Sequence, residues 1–489
     1  MSDINSLDDM EIIYFSSEVA PFSKRGGMGD VVGNLPVELS KKGRDVTLIT
    51  PYYSVIETDK TIDFNIEKFE VSLGQETYEC SVHHLSEKNY KFEIVFIDNK
   101  KFFDRDGIYT NKSGEMFEDT FLRYLFFQRA GLRYLQRNEH TPEIVHCHDN
   151  QSALVPVYIK YKLNEEDTFK NTKTIFTLHN IGYQSLEGFF QKQYLDFPEK
   201  FYEPTGLLEW YGQINPVKGG ILAADKVTTV SETHAEEIMT DEKLSAGLKD
   251  VIQSRDDEVI GILNGIDERE WDPSSDDYIA YNYSLANTAG KKNNKKDLLK
   301  NCNLPKDSLS IPVFGLVSRL VGQKGIDLLI DIMDDILALN IKVVILGSGR
   351  KEFHYQLERV AEETPNQVYI DLSYNQKLAH QIMAGSDFLL MPSRYEPCGI
   401  TQMAAMRYGT IPIVHKTGGL ADTVQEGETG FLFEDYDQKS MLQTVRRALE
   451  TYTNTSEFED MIINCMNQDF SWEKSVTKYL ALYKDLAKN

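Results

Sequence analysis

Short apolar runs rich in β-branched residues alternate with longer amphipathic stretches, and they do so twice; no other feature limits the folds open to this chain so tightly. The first alternation opens with residues 11–16 (EIIYFS), a glycine-rich turn, a helical pattern over 30–42 and a second run at 46–50 (VTLIT), together a βαβ unit. Further strands are expected at 93–98, 143–147, 173–178 and 226–230, with a helix over 116–136 among them. A polar segment rich in lysine and asparagine at 289–300 precedes the second alternation. Its strands begin at Val313, Lys342, Val368, Phe388 and Ile411, and its helices open at Gly325, Glu352, Gln376, Gly399 and Ser440. Strands separated by helices pair in parallel. Each alternation therefore predicts a doubly wound α/β domain, and two in tandem put the expected site in a cleft between them. The expected boundaries are 1–258 for the first domain, 259–472 for the second and 473–489 for a terminal helix returning to the first.

A chain of 489 residues is long enough for two or three such domains. Its 52 basic and 76 acidic residues leave a net charge of −24, which repels nucleic acid backbones and anionic lipid, so neither partner is expected. Five cysteines (Cys80, Cys147, Cys302, Cys398 and Cys465) form no CxxC pair and read as reduced thiols of a cytoplasmic protein. The opening MSDINSLDDMEII carries no basic segment, and no apolar run approaches the roughly 20 residues of a membrane helix. A soluble, unprocessed chain is expected.

The turn after the first strand reads KRGGMGD, residues 24–30. Glycines there let backbone N–H groups approach an anion, and Lys24 with the helix N-terminus adds positive potential; a plain glycine-rich turn has the same sequence. The spacing does not make GxGxxG, and the second strand ends in Thr50-Pro51 with no ribose-binding acid, so no nicotinamide cofactor is expected. VSRLVGQKG, residues 317–325, closes the second module's first strand. Arg319 as a fork and Lys324 as a point charge suit a diphosphate, and equally a surface salt bridge. SRYEPCGIT, residues 393–401, again joins strand to helix: Glu396 stands before Pro397, which can start a helix, and Gly399 opens the backbone toward a ligand. A sugar hydroxyl is a natural partner for that carboxylate; helix capping is the alternative.

HNIGYQ, residues 179–184, ends a strand where doubly wound domains present ligand contacts, although a lone histidine such as His179 is usually structural. The Asn264-Gly265 pair marks a turn. His146, Cys147, His148 and Asp149 put residues two apart on one strand face, but no further Cys or His cluster completes four ligands, and no metal is expected. Asp104-Arg105-Asp106 resembles the DxD by which other enzymes hold a divalent ion, yet it ends no apolar strand and reads as a loop.

Taken together, these segments resemble the bacterial glycogen synthase and plant starch synthase family, glycosyltransferase family 5, whose GT-B fold joins two Rossmann-like domains. The likeness runs nearly end to end. Residues 24–30 match the family's KxGGLGD with Met28 for Leu, and Phe103, Asp104, Arg105, Gly107 and Tyr109 match FDRxGxY, which explains the DxD. Residues 179–184 resemble HNxxYQ, 261–267 resemble GILNGID, 318–325 resemble SRLxxQKG, 392–402 resemble PSRxEPCGLTQ and 417–424 match TGGLADTV. Departures fall on the acceptor side: Asn150 and Gln151 follow Asp149 where the family often has Trp and His, and Ser185 replaces a frequent Gly. The second Glu of related retaining transferases is Ala404 here, as the family usually has it.

The resemblance implies a metal-independent, cofactor-free hexosyltransferase that moves glucose from ADP-glucose to the non-reducing end of an α-1,4-glucan with retention. Arg319 and Lys324, assisted by Lys24 and the Gly26-Gly27 backbone, are expected to stabilise the departing diphosphate, and Asp30 is expected among the substrate-binding residues. Glu396 and the backbone of Cys398, Gly399, Ile400 and Thr401 are expected to hold the glucose, with His179, Asn180 and Asn264 beside it, Tyr374 stacked on the base and Asp149 aiding the acceptor. The donor is expected on the second domain, the acceptor on the first, with hinge closure assembling the site. A GT-B glycosyltransferase using UDP-glucose or a different acceptor, and a catalytically silent glucan-binding protein, are the competing readings.

Overall fold

A computed structural model describes residues 10–56, 63–86, 91–112, 114–305 and 309–488 of the chain, with side chains described from residue 67 in the second of these stretches. Residues 1–9, on which the expectation of an unprocessed N-terminus rests, lie outside them. The chain divides into two compact units. One is Met1–Val230, Ala235–Leu263 and Trp472–Asn489, the other Ser231–His234 and Asn264–Ser471.

The first unit is built on nine strands: β1 (Glu11–Phe15), β2 (Asp45–Pro51), β3 (Asp63–Leu73), β4 (Glu76–Ser86), β5 (Phe92–Asp98), β6 (Ile144–His148), β7 (Lys173–Leu178), β11 (Lys226–Thr229) and β12 (Val259–Gly261), in the order β12-β11-β7-β6-β1-β2-β5-β4-β3. Strands β12 to β5 are parallel, and β4 and β3 run antiparallel at one edge. Covered on both faces, the parallel strands read as near-continuous apolar runs, and β6 is buried along its whole length. Strand β12 pairs with β11, so the first unit extends to Leu263, a few residues past the boundary read from the sequence. A separate three-stranded sheet comprises β8 (Glu187–Gly188), β9 (Glu209–Trp210) and β10 (Gln213–Ile214), in the order β8-β10-β9.

The last helix, Trp472–Lys488, belongs to this unit. It buries Trp472, Val476, Tyr479, Tyr483 and Leu486 in the first core. The Tyr483 hydroxyl lies 2.5 Å from that of Tyr14 on β1 and 2.8 Å from His146 Nδ1 on β6.

The second unit carries six parallel strands: β13 (Val313–Val317), β14 (Lys342–Leu346), β15 (Val368–Asp371), β16 (Phe388–Met391), β17 (Ile411–His415) and β18 (Phe431–Phe433), ordered β15-β14-β13-β16-β17-β18. In each unit the first strand is flanked on both sides, β1 by β6 and β2, β13 by β14 and β16. The order reverses at these strands, and the crevice outside their carboxyl ends is where doubly wound sheets bind ligands.

Candidate active site

In the first unit, β1 leads into the glycine-rich turn and the helix Gly27–Lys41. That turn is anchored by Glu18, buried just beyond β1, whose Oε2 accepts from the N–H groups of Arg25 (2.6 Å) and Gly26 (3.0 Å). The Tyr109 hydroxyl donates to the other Glu18 oxygen at 2.6 Å, and burial pushes the pKa of this carboxyl up. The Gly26 amide, one of the two expected to meet an anion, is thus committed to a side chain, together with that of Arg25. Lys24 Nζ pairs with Asp30 Oδ1 at 2.5 Å in the first helical turn, and Gly26 and Gly27 are exposed. Gly29 has no room for more: a Cβ there would stand 3.1 Å from Glu18 Oε2 and 3.2 Å from Lys24 Cγ.

The carboxyl ends of β6 and β7 bring Asp149 and His179 together. Asp149 sits at φ 55°, a left-handed conformation unusual for a residue with a Cβ. Its Oδ1 accepts from the backbone N–H groups of His179 (2.7 Å) and Asn180 (3.3 Å). Burial raises its pKa to about 7. The Asp149 side chain therefore holds the His179 turn. His179 Nε2 lies 2.9 Å from His148 Nδ1, and burial pulls the pKa of His179 down to about 3 and that of His148 well below the ordinary value. His146, whose ring lies tilted against that of His148 with centroids 4.3 Å apart, is likewise pulled down to about 3 by burial. Its two nitrogens face the hydroxyls of Tyr483 and Thr177. Among the described residues no group of three or more His, Cys, Asp and Glu is arranged to hold a metal ion. The two departures on this side touch: Asn150 Nδ2 donates to Ser185 Oγ at 2.6 Å, and Ser185 itself has φ 51°.

In the second unit Lys324 and Glu396 meet. Lys324 Nζ lies 2.5 Å from Glu396 Oε2, and Ser393 Oγ donates to the same oxygen at 2.9 Å. Glu396 is only 6% exposed. Glycine makes the approach possible: Gly325 has φ 70°, and a Cβ there would fall 1.8 Å from the Pro392 carbonyl oxygen. On the other side Gly419 N–H donates to the Glu396 carbonyl oxygen at 3.1 Å. The following helix begins at Thr401, not at Pro397 or Gly399, because Gly399 turns the chain at φ 75°. Glu396 is therefore an ion-paired carboxylate and caps nothing.

Cys398 is buried against Asn264, and burial pushes its thiol up to about 12, so it is no nucleophile. Ile400 and Thr401 are half-buried beside it. Arg319 is exposed at the end of β13, and its guanidinium makes no hydrogen bond or ion pair among the described residues; neighbouring Arg394 is held by Asp327 at 2.8 Å. Tyr374, after β15, is 90% exposed. Sequence reasoning leaves out Glu18 and Ser393. Glu18 has no local signal, whereas Ser393 lies inside a motif already singled out, three residues before Glu396.

Two Rossmann-like α/β units of this kind, with cations and glycine turns at their switch-point strands, are the architecture that comparison with known proteins identifies as that of a GT-B glycosyltransferase. Residues 11–254 match the starch synthase catalytic domain family, and residues 306–464 match glycosyl transferases group 1. A glycogen synthase of Thermodesulfovibrio yellowstonii is 38% identical over 98% of this chain and 98% of its own, and one of Thermotoga maritima 39% identical over 97% and 98%. The solved catalytic domain of starch synthase IV from Arabidopsis thaliana, bound to ADP and acarbose, superposes with a TM-score of 0.89 at 31% identity, covering 98% of this chain and all of that one. A sucrose-phosphate synthase from Thermosynechococcus elongatus shares the fold alone, at a TM-score of 0.62 and 17% identity. The chain belongs to the glycogen synthase family.

Proposed function

We propose that this protein transfers glucose from ADP-glucose to the non-reducing end of an α-1,4-glucan with retention of configuration. One observation carries the reading: in a member of this family, the Lys324–Glu396–Ser393 cluster is built at the switch-point end of the second sheet. Breaking the anomeric bond puts negative charge on the departing diphosphate and positive character on the sugar carbon. Arg319 and Lys324 stabilise the first, joined by Lys24 and the Gly27 backbone. Glu396, paired with Lys324, accepts from a glucose hydroxyl, with the backbone of residues 398–401 and Asn264 completing the hold on the sugar. His179 is neutral at physiological pH, so its imidazole adds no positive charge beside the developing carbocation. Asn180 shares its turn, and Asp149 positions both. Tyr374 offers an open ring to the base. The acceptor hydroxyl attacks from the face the diphosphate leaves.

No described helix is long and apolar enough to cross a membrane, and all five thiols are free and buried, which supports a cytoplasmic setting. The test is incorporation of radiolabelled glucose into glycogen from ADP-glucose, UDP-glucose and GDP-glucose, with EDTA in parallel. Incorporation from ADP-glucose at the highest kcat/KM, unaffected by chelator, is expected. Preference for another donor, or binding of ADP-glucose without turnover, overturns the assignment.

A further inference from the structure

The end of β6 sets a second imidazole against that of His179. His148 is fully buried, its ring stacked on Tyr14 with centroids 5.3 Å apart and planes at 15°, and its Nδ1 lies 2.9 Å from His179 Nε2. The other nitrogen of His148, Nε2, is sealed in the core with no hydrogen-bond partner. The neighbouring imidazole does not serve it. His146 has Nδ1 on the Tyr483 hydroxyl at 2.8 Å and Nε2 on the Thr177 hydroxyl at 2.6 Å, so both its nitrogens are engaged elsewhere. A buried polar atom left alone in this way calls for a reason.

One proton lies between the two facing nitrogens, and the orphaned atom decides to which ring it belongs. Burial lowers the pKa of both imidazoles, so each is neutral and carries a single N–H. If His179 Nε2 were the donor, His148 Nδ1 would have to accept, and the only proton of His148 would sit on Nε2, a buried N–H with no acceptor. The opposite arrangement leaves only a lone pair there. Orphaned buried N–H groups are rare in folded proteins, and acceptors short of a partner are less so. His148 Nδ1–H therefore donates to His179 Nε2, and the proton of His179 sits on Nδ1. No hydrogen bond reaches that atom among the described residues, and His179 is only partly buried, so Nδ1–H is available to a ligand. Two neighbours thus define the group: Asp149 holds its backbone N–H and His148 its ring.

We infer that His148 is a positioning residue whose Nδ1–H fixes His179 in the Nδ1–H tautomer, so that the open edge of the His179 imidazole offers a hydrogen-bond donor, not an acceptor, to an oxygen of the transferred sugar. The sugar contact rests on the placement of His179 given under the proposed function; the tautomer does not. Long-range 1H–15N correlation spectra of the full chain labelled with 15N-histidine, recorded without substrate and assigned by comparison with His179→Asn, test it. The wild type is expected to show His179 protonated on Nδ1 and bare on Nε2. His148→Phe, which keeps a ring of similar size and removes the donor, is expected to show both tautomers at His179 and to lower kcat/KM for the donor about tenfold. His148→Asn brings an amide N–H to where Nδ1 stood and is expected to restore the tautomer and most of the activity. His148→Gln carries its amide one methylene further, toward the place of Nε2, and is expected to restore neither. Lost packing alone would give the reverse order, because glutamine is closer to histidine in volume. A wild-type His179 protonated on Nε2 overturns the inference, and that result needs no variant to fold. So does equal activity of His148→Asn and His148→Gln, or a His148→Phe protein with the wild-type tautomer. Failure of ADP-glucose turnover would sink the proposed donor chemistry while leaving the substrate-free spectrum to judge the tautomer.

Discussion

In the second unit a lysine and a carboxylate meet at 2.5 Å as an ion pair, with a serine hydroxyl on the same oxygen. In the first unit three imidazoles crowd together, and burial keeps all of them neutral. The contrast follows the chemistry proposed for each. A leaving diphosphate gains negative charge and calls for a fixed cation, whereas an anomeric carbon gaining positive character is best served by groups that add none. One unit sets opposite charges against each other, the other removes charge by excluding water.

The strongest way to break this contrast is to remove charge from the paired cluster while keeping its shape. Glu396→Gln is expected to lower kcat on the order of 10²- to 10³-fold and to lower Tm less than Lys324→Ala does, because the amide oxygen still accepts from Lys324 and Ser393 although the ammonium loses its counter-ion. Lys324→Ala is expected to lose activity to a similar extent and also stability, since it leaves a buried carboxylate without its cation. Turnover within tenfold of wild type in Glu396→Gln removes the carboxylate from the proposed role.

The neutral cluster is sharpened by Asp149→Asn. The Asp149 carboxyl has a folded pKa of about 7 against an unfolded value near 4. A raised carboxyl pKa contributes stability that is present below the unfolded value and lost as pH rises through the folded one. The wild type is therefore expected to lose stability between about pH 4 and pH 7, and the variant, whose Oδ1 still accepts from His179 and Asn180, is expected to lack that loss. Thermal denaturation of both at pH 5 and pH 8 measures it: the Tm advantage of Asp149→Asn should be larger at pH 8. An equal difference at both pH values means the carboxyl titrates normally.

The same contrast explains what could be read before the structure. The parallel strands β1, β6, β7, β13, β14, β16 and β17 are covered on both faces, so their sequences are apolar runs that announce themselves. The β3–β4 hairpin has one wet face: Phe69, Val71, Leu73, Cys80 and Val82 are buried among glutamates and lysine, and the alternation is easily passed over. Strand β18 is three residues long and joins a sheet already formed. In the site, Lys324 and Glu396 are legible because they lie in dense motifs at strand ends. Their direct pairing is not, since they lie 72 positions apart and nothing between them announces it. Asp149, expected to aid the acceptor, holds the backbone of His179 through Oδ1, a role set by a left-handed main chain that only coordinates reveal.

Glu18 shows the limit most clearly, and a smaller effect tests it. A lone glutamate in SSEVAPF carries no pattern; its importance comes from Tyr109, 91 positions away, and from the two amides it captures. Tyr109→Phe removes one donor to a buried carboxylate and fills the same space, so the cost is that of an unmet hydrogen bond, about 1–3 kcal/mol in denaturant unfolding. Because the Arg25 and Gly26 amides still bind Glu18, the turn is expected to keep its path, and KM for the donor should rise only a few-fold with kcat nearly intact. Glu18→Gln presents an amide in place of the carboxylate, weakening the charge-assisted bonds to those amides, and is expected to raise KM further at a similar loss of stability. If Tyr109→Phe instead abolished turnover at unchanged stability, Tyr109 would be contacting substrate, and the loop's dependence on Glu18 would have to be drawn differently.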